Sequence, residues 1–444
     1  MNRPIPMAQR TEAEAAYIDA FDSADLRLRG ATDLRAAAMA RFEAAGLPSR
    51  RVESWHYTDL RALLREAAPV RAPDDVSVAR ARECLDHNAR LGGVRLVVVN
   101  GAFRPDLSDM ADLPAGVTLH SLSDALVAGD AEILAALTAN GLGGDDPVVA
   151  LNAALMQDGV ALRIAPGAQV ERPLALINMM TGGGAHAAFT RSVVLVGAGA
   201  RVRLFEMTGA CAPSATQTNE ALVIAIGDGA KVELFSSVEQ QGPGAVALHS
   251  LLATLGADAD LSSFCFTPSA ATARRQIFAR LNGERTNVRF GGLSLLRGKE
   301  HADTTLVVDH AVPHCTSREL FRHILDHEST GVFQGKVVVR QHAQKTDGAM
   351  KSQAIMLGDD AVMNNKPELE IFADDVVCGH GATVGQLDDD QIFYLRARGL
   401  SKPEAESLLL EAFAGEALDM VTDEALRERY AAITQDWLSR RGEA

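Results

Sequence analysis

Aromatic residues are scarce in this chain, with 2 Trp and 4 Tyr among 444 residues. That argues against a β-propeller, whose blades usually repeat an aromatic signature. Cysteine is sparse as well. Cys84, Cys211, Cys265, Cys315 and Cys378 are scattered, odd in number and free of any CxxC pair, which speaks against a disulfide framework and for a reducing compartment. Positive charge is in deficit. Against 58 Asp and Glu stand 43 Lys and Arg, a formal net charge of −15 with no Lys/Arg-rich run. Such a chain repels a phosphate backbone, so no nucleic-acid partner is expected. Long apolar runs are missing too. Val94 to Val99 and Val193 to Val196 fall far short of the ~20 residues of a spanning helix. The opening stretch MNRPIPMAQRTEAEAAYIDAFD holds no apolar block of signal-peptide length. The expectation is a cytoplasmic protein with no membrane partner.

Familiar catalytic motifs are also lacking. Gly335-Lys336 and Gly298-Lys299 resemble the end of a phosphate loop, but neither has the earlier Gly nor a following Ser or Thr. Gly197-Ala198-Gly199 and Gly227-Asp228-Gly229 want the third glycine of a dinucleotide fingerprint and read as turns. No GxSxG elbow and no HExxH pair occurs. ATP hydrolysis by this chain is not expected.

What is present divides the chain in three. Residues 1–92 read as a helical region, with Thr32 opening a run that stops at Gly46 and Pro48. Residues 93–387 read as β. Val94 to Val99 is strand-like, Asn100-Gly101 marks a tight hairpin turn, and a short helical insert is expected near 123–140. Residues 388–444 read as a helical tail. Asp388 to Asp390 start its first helix, Gly399 ends it, Ser401 with Pro403 and Glu404 caps a second, and Thr422 or Asp423 opens a third.

The β region repeats. IAPGAQVERPL, LVGAGARVRLF, AIGDGAKVELF and TLGADADLSSF superpose with Ala168, Ala200, Ala230 and Ala259 equivalent. Each is strand, turn and alternating strand, at a period of about 30 residues, the range of solenoids. A parallel β-helix of roughly one coil per repeat fits best, and a β-sandwich with coincident turns is the competing architecture.

Two groups of possible ligands stand out. His310, His314, His323 and His327 lie near Cys315 and Glu328, but in strands an i, i+4 pair is about 13 Å apart, too far to share an ion. Cys378-Gly379-His380 is different, because i and i+2 in a strand share a face. Thiolate and imidazole both suit iron, and a neighbouring imidazolium would lower the thiol's pKa. The competing reading is a core cysteine beside an incidental histidine. Two ligands cannot close a cluster site, so the remainder would come from elsewhere, most simply another chain.

The block NNKPELEIFADDVVCGHGATVGQLDDDQIFYLRARGLS (Asn364 to Ser401), together with RVESWHYTDL (Arg51 to Leu60) and VVVNGAF, resembles the SufB/SufD family of iron–sulfur cluster assembly scaffold proteins. Where the SufB paralogue reads Glu-His-Glu, this chain has Gly379-His380-Gly381, which resembles the other branch. The resemblance implies a right-handed parallel β-helix flanked by helical ends, and a non-catalytic subunit paired with SufB through the β-helices. It also implies two copies of the SufC ATPase, docked through the C-terminal helices around Ile392, Phe393, Tyr394, Leu395, Arg398 and Leu400. A transient iron–sulfur cluster would assemble at the interface, with His380 and Cys378 as its ligands from this side. Reduced flavin is linked to such complexes, but no residue here places it. Two other classes compete: a β-helical polysaccharide lyase or hydrolase, and a homo-oligomer in which Cys378 and His380 only pack.

Overall fold

The computed structural model describes residues 10–23, 30–87, 92–138, 143–212, 214–239 and 242–440. The chain opens with helices α1 (Glu12–Asp22), α2 (Thr32–Ala45), α3 (Leu60–Leu63) and α4 (Asp75–His87). A hairpin follows, β1 (Val94–Val99) and β2 (Ala102–Phe103), turning on Asn100 and Gly101 at φ 45° and 86°. Both angles are positive, as the Asn-Gly dipeptide favours. Next come β3 (Val117–Ser121), α5 (Leu122–Val127), α6 (Ala131–Thr138) and α7 (Pro147–Leu155). The insert expected near 123–140 is thus two helices, and its last two residues lie outside the described ones. The third helix, α7, is not expected from the sequence: PVVALNAAL is apolar apart from Asn152 and shows no amphipathic period, because all nine of its residues are buried.

From β4 the chain winds as a two-sheeted parallel solenoid. One sheet holds β4 (Val160–Ile164), β6 (Ala187–Val196), β8 (Gln217–Ile226), β10 (Val246–Leu255), β12 (Thr272–Leu281), β14 (His301–His310), β16 (Thr330–Val339) and β18 (Val362–Ile371), with β3 on its near edge. The other holds β5 (Leu174–Met180), β7 (Arg201–Ala210), β9 (Lys231–Glu239), β11 (Asp260–Thr267), β13 (Asn287–Leu296), β15 (Thr316–Leu325), β17 (Asp347–Met356) and β19 (Val377–Gly385), with β1 and β2 on its near edge. Successive strands alternate between sheets, so β4 to β19 make eight stacked coils.

The alanine repeat is the corner of this solenoid. The backbone N–H following each corner residue donates to the corner carbonyl one coil back: Arg201 to Ala168, Lys231 to Ala200, Asp260 to Ala230 and Asn287 to Ala259. The same ladder continues from Thr316 to Thr286, Asp347 to Cys315 and Val377 to Thr346. The period fades in the sequence only because Thr, Cys and Thr take the alanine's place. Their side chains turn back to carbonyls: Thr286 Oγ1 to Gly283 (2.7 Å), Cys315 Sγ to Gly283 (3.3 Å) and Thr346 Oγ1 to Ala343 (2.9 Å). Cys315 is a corner residue.

Helices cover both outer faces. On the β4–β18 sheet lie α1 to α3 and α7, and the segment Glu53–Thr58 is clamped across several coils. Trp55 is fully buried with the Arg274 guanidinium 3.7 Å above its ring. Arg274 pairs with buried Asp303 and donates to the Ser54 carbonyl. The other sheet presents Phe235, Phe264, Phe266, Leu293, Leu295 and Ile324 outward, against α9 (Lys402–Leu418) and α10 (Glu424–Ser439). The tail begins with α8 (Asp389–Ala397), and Asp388, Ser401 and Asp423 cap the three helices. Cys84 and Cys211, 127 residues apart, are joined as a disulfide with Cα atoms 5.9 Å apart. The sequence reading left all five cysteines unpaired, and no local spacing could have announced a link between α4 and the loop after β7.

Candidate functional site

Both sheets end at the last coil. β18 pairs only with β16, and β19 only with β17. Inward-facing residues elsewhere in the solenoid are covered by the next coil, whereas here they are not. Ile371 and Val384, in register with the inward Val339 and Ala354, stand 40% and 45% exposed, and Val362, Phe372 and Val377 beside them are exposed as well. Unpaired strand edges with exposed apolar residues invite addition of another strand.

Cys378 and His380 sit on β19, in register with Gly348 and Met350 of β17. Gly348 and Met350 are buried while Ala349 and Lys351 between them are exposed, so Cys378 and His380 lie on the inward side. They point into the open mouth of the solenoid. Cys378 is half-buried and packs on the interior core, and His380 is exposed, with no hydrogen bond among the described residues. The shared face expected from the i, i+2 spacing is present. The thiol's pKa, however, is pushed up rather than down. Burial is the main cause and the carboxylates of Asp347 and Glu319 add to it, against a hydrogen bond from the Gly348 backbone and the charge of Arg318.

Behind Cys378 the interior is polar. A side chain at Gly348 would meet Cys378 Sγ and Ser317 Oγ, each 3.5 Å from its Cβ position, so this glycine keeps the space between them open. Ser317 and Glu319 follow one coil in. Neither Ser317 Oγ nor either Glu319 oxygen has a hydrogen-bond partner, and Glu319 is 3% exposed. Burial pushes the Glu319 carboxyl up to about 8, against the smaller opposing charge of Arg318. Across the mouth, Asn365 accepts from Ser352 Oγ at 2.6 Å while its own Nδ2 is unpartnered. Sequence reasoning missed this group. The alternation Ser317, Glu319, Phe321, His323, Leu325 would have turned Glu319 inward had the corner register been known.

Among the described residues, no three His, Cys, Asp or Glu side chains converge to hold a metal. His310 and His323 are buried apart from any hydrogen-bond partner, with pKa values pushed down to about 4 by burial. His314 and His327 occupy turn positions at φ 61° and 56°. The histidine group does not form a site.

On α8, Ile392 is 8% exposed and faces the fold, whereas Phe393 and Tyr394 are 75% and 56% exposed. The apolar residues of this helix are therefore split between interior and solvent. Leu395 and Leu400 are half-buried, and exposed Arg398 stacks on Tyr394 with its guanidinium 4.8 Å from the ring centre. No helix among the described residues is long and apolar enough to cross a membrane.

Comparison with known proteins covers nearly the whole chain. The family model for the SUF system FeS cluster assembly SufBD core domain matches residues 178–413, and that for the SufBD protein N-terminal region matches residues 11–176. The iron–sulfur cluster assembly protein SufD of Escherichia coli K12 is 31% identical over 396 residues, 87% of this chain and 88% of that protein. An iron–sulfur cluster assembly SufBD family protein of Synechocystis is 31% identical over 393 residues, 86% of each chain.

Proposed function

The chain belongs to the SufB/SufD family of the SUF iron–sulfur cluster assembly system and is SufD-like along most of its length, and on that premise we propose that it is a non-catalytic scaffold subunit that pairs with SufB through its open last coil. The nascent cluster is the cargo, built in the mouth between the two β-helices, with His380 and Cys378 supplying ligands from this side. The observation that carries this reading is the uncapped coil. It combines two free strand edges, exposed apolar residues and an inward-facing Cys/His pair that lacks enough neighbours to close a site alone. Exposed Phe393 and Tyr394 on α8 are the surface proposed to dock SufC, with Leu395, Arg398 and Leu400 around them and Ile392 anchoring the helix from beneath.

The test is His380→Ala, read in three ways: complex formation with SufB and SufC, thermal stability, and cluster formation in cells. His380 is exposed and unbonded, so its loss is expected to change stability by no more than about 0.5 kcal/mol. An intact complex with lost cluster formation is the expected result. Normal cluster formation would refute the role. The same edges could also pair two copies of this chain when SufB is absent, which sizing the isolated chain with and without SufB would reveal.

A further inference from the structure

Arg191 is a buried guanidinium without a carboxylate partner among the described residues. It projects from β6 onto the outer face of its sheet, beneath α2 and α7, and is 5% exposed. Nη1 donates to Asn152 Oδ1 at 3.1 Å, and Nε has no partner. The other buried arginines of the solenoid are treated differently: Arg274 pairs with Asp303, Arg275 with Glu206 and Arg322 with Glu416. Arg191 instead faces a second cation, Arg41 of α2, and burial together with that repulsion draws its pKa down to about 10. A buried, unpaired charge costs stability, so a fold that keeps one has left room for an anion.

The room is there. Arg191 and Arg41 both line a cavity of about 330 Å³ between α2, α6, α7 and the sheet, and among the described residues no Asp or Glu lines it. The remaining wall is largely apolar, including Leu34, Leu137, Val223 and Leu252. The volume lies at the small end of ligand pockets. A guanidinium offers a planar pair of donors that matches carboxylate and phosphate oxygens. We propose that this cavity binds a small organic anion, its carboxylate or phosphate held between Arg191 and Arg41 and its apolar body against Leu34, Leu137, Val223 and Leu252. Six strand spacings separate β6 from β18, about 29 Å. The anion site is therefore remote from the cluster site, and its test is independent of the proposed function.

The experiment is calorimetric titration of the full chain with benzoate, phenyl phosphate and inorganic phosphate, alongside thermal melting. Saturable binding of at least one aromatic anion, with Kd on the order of 1 mM or tighter, and at least tenfold weaker binding of inorganic phosphate are expected. Benzoate and phenyl phosphate distinguish a carboxylate from a phosphate ligand. Arg41→Gln should weaken binding at least fivefold while leaving the unliganded melting temperature unchanged. Arg191→Met should abolish binding and still unfold cooperatively, because removal of an unpaired buried charge is set against loss of the donor to Asn152 Oδ1. No saturable binding by any probe, binding unaffected by both variants, or inorganic phosphate binding as well as the aromatic anions would overturn the proposal.

Discussion

Replacing Glu319 by Gln should change how stability depends on pH, because the wild-type carboxyl is held neutral inside the solenoid. Its pKa rises from 4.5 to about 8 on folding, mainly through burial. The folded chain therefore keeps a proton that the unfolded chain releases across that window. The group's stabilisation is complete below pH 4.5 and is lost as pH rises toward 8. Each pH unit inside the window costs about 1.4 kcal/mol, so between pH 5 and pH 7 the wild type loses roughly 3 kcal/mol from this residue. Glutamine keeps the shape and cannot ionise. Glu220, also pushed up to about 8, and His310 and His323, pushed down to about 4, are common to both proteins and cancel in the difference. Urea midpoints measured from pH 5 to pH 8 should be similar at the acid end and diverge upward for Glu319→Gln, by about 3 kcal/mol at pH 7 to 8. Parallel pH profiles, or a variant less stable at pH 8, would refute the buried neutral carboxyl.

Two further outcomes follow from the packing. Arg274→Ala should destabilise by about 3–5 kcal/mol, because it leaves buried Asp303 without its cation and uncovers Trp55; chemical denaturation checks it, and a loss under 1 kcal/mol would contradict the clamp. Phe393→Asp should abolish capture of SufC while leaving the melting temperature within about 1 °C of wild type, a bound that contains the roughly 0.5 °C expected of 0.5 kcal/mol in a chain this long, since Phe393 is 75% exposed; undiminished capture would remove α8 from the docking surface. Deleting the whole tail is not an equivalent test, because α9 and α10 cover Phe235, Phe264 and Phe266.

The solenoid could be read from the sequence because a corner leaves a one-letter trace. Ala200, Ala230 and Ala259 occupy one buried corner position and stack at nearly constant spacing. The trace faded where Thr286, Cys315 and Thr346 reached the same geometry by bonding back to carbonyls. Helix caps were legible for a similar reason: Ser401 with Glu404 and Asp388 with Asp390 are local chemistry. Features made by distant segments were not. RVESWHYTDL carries no hint that Trp55 would meet Arg274, and α7 has no polar face to give it a period. At the site, spacing placed Cys378 and His380 on one side of a strand, but the sign of the thiol's shift is set mainly by burial, with Asp347 and Glu319 adding to it, and only the coil stacking creates those surroundings.

The position of the Cys/His pair in the last coil follows from how a solenoid is built. In every earlier coil an inward side chain is covered on both sides by its neighbours, so Glu206 and His249 can meet only each other and Arg275. The last coil alone offers inward groups to another molecule, and its two edges are unequally protected. β18 carries Lys366, Pro367, Glu368 and Glu370, the charges and proline that blunt an edge against unwanted pairing. Its Lys366 is further tied to Glu53 of the N-terminal clamp. β19, Val-Cys-Gly-His-Gly-Ala-Thr-Val-Gly, carries no Lys, Arg, Asp, Glu or Pro. Gly379 and Gly381, alternating with Cys378 and His380, have open space where their side chains would be. An edge so unprotected persists in a monomer only at the risk of aggregation, and it is suited to accepting a partner's strand through backbone hydrogen bonds. On the proposed function, β19 is the strand that SufB covers, and covering it brings the partner's side chains to the same mouth into which Cys378 and His380 point.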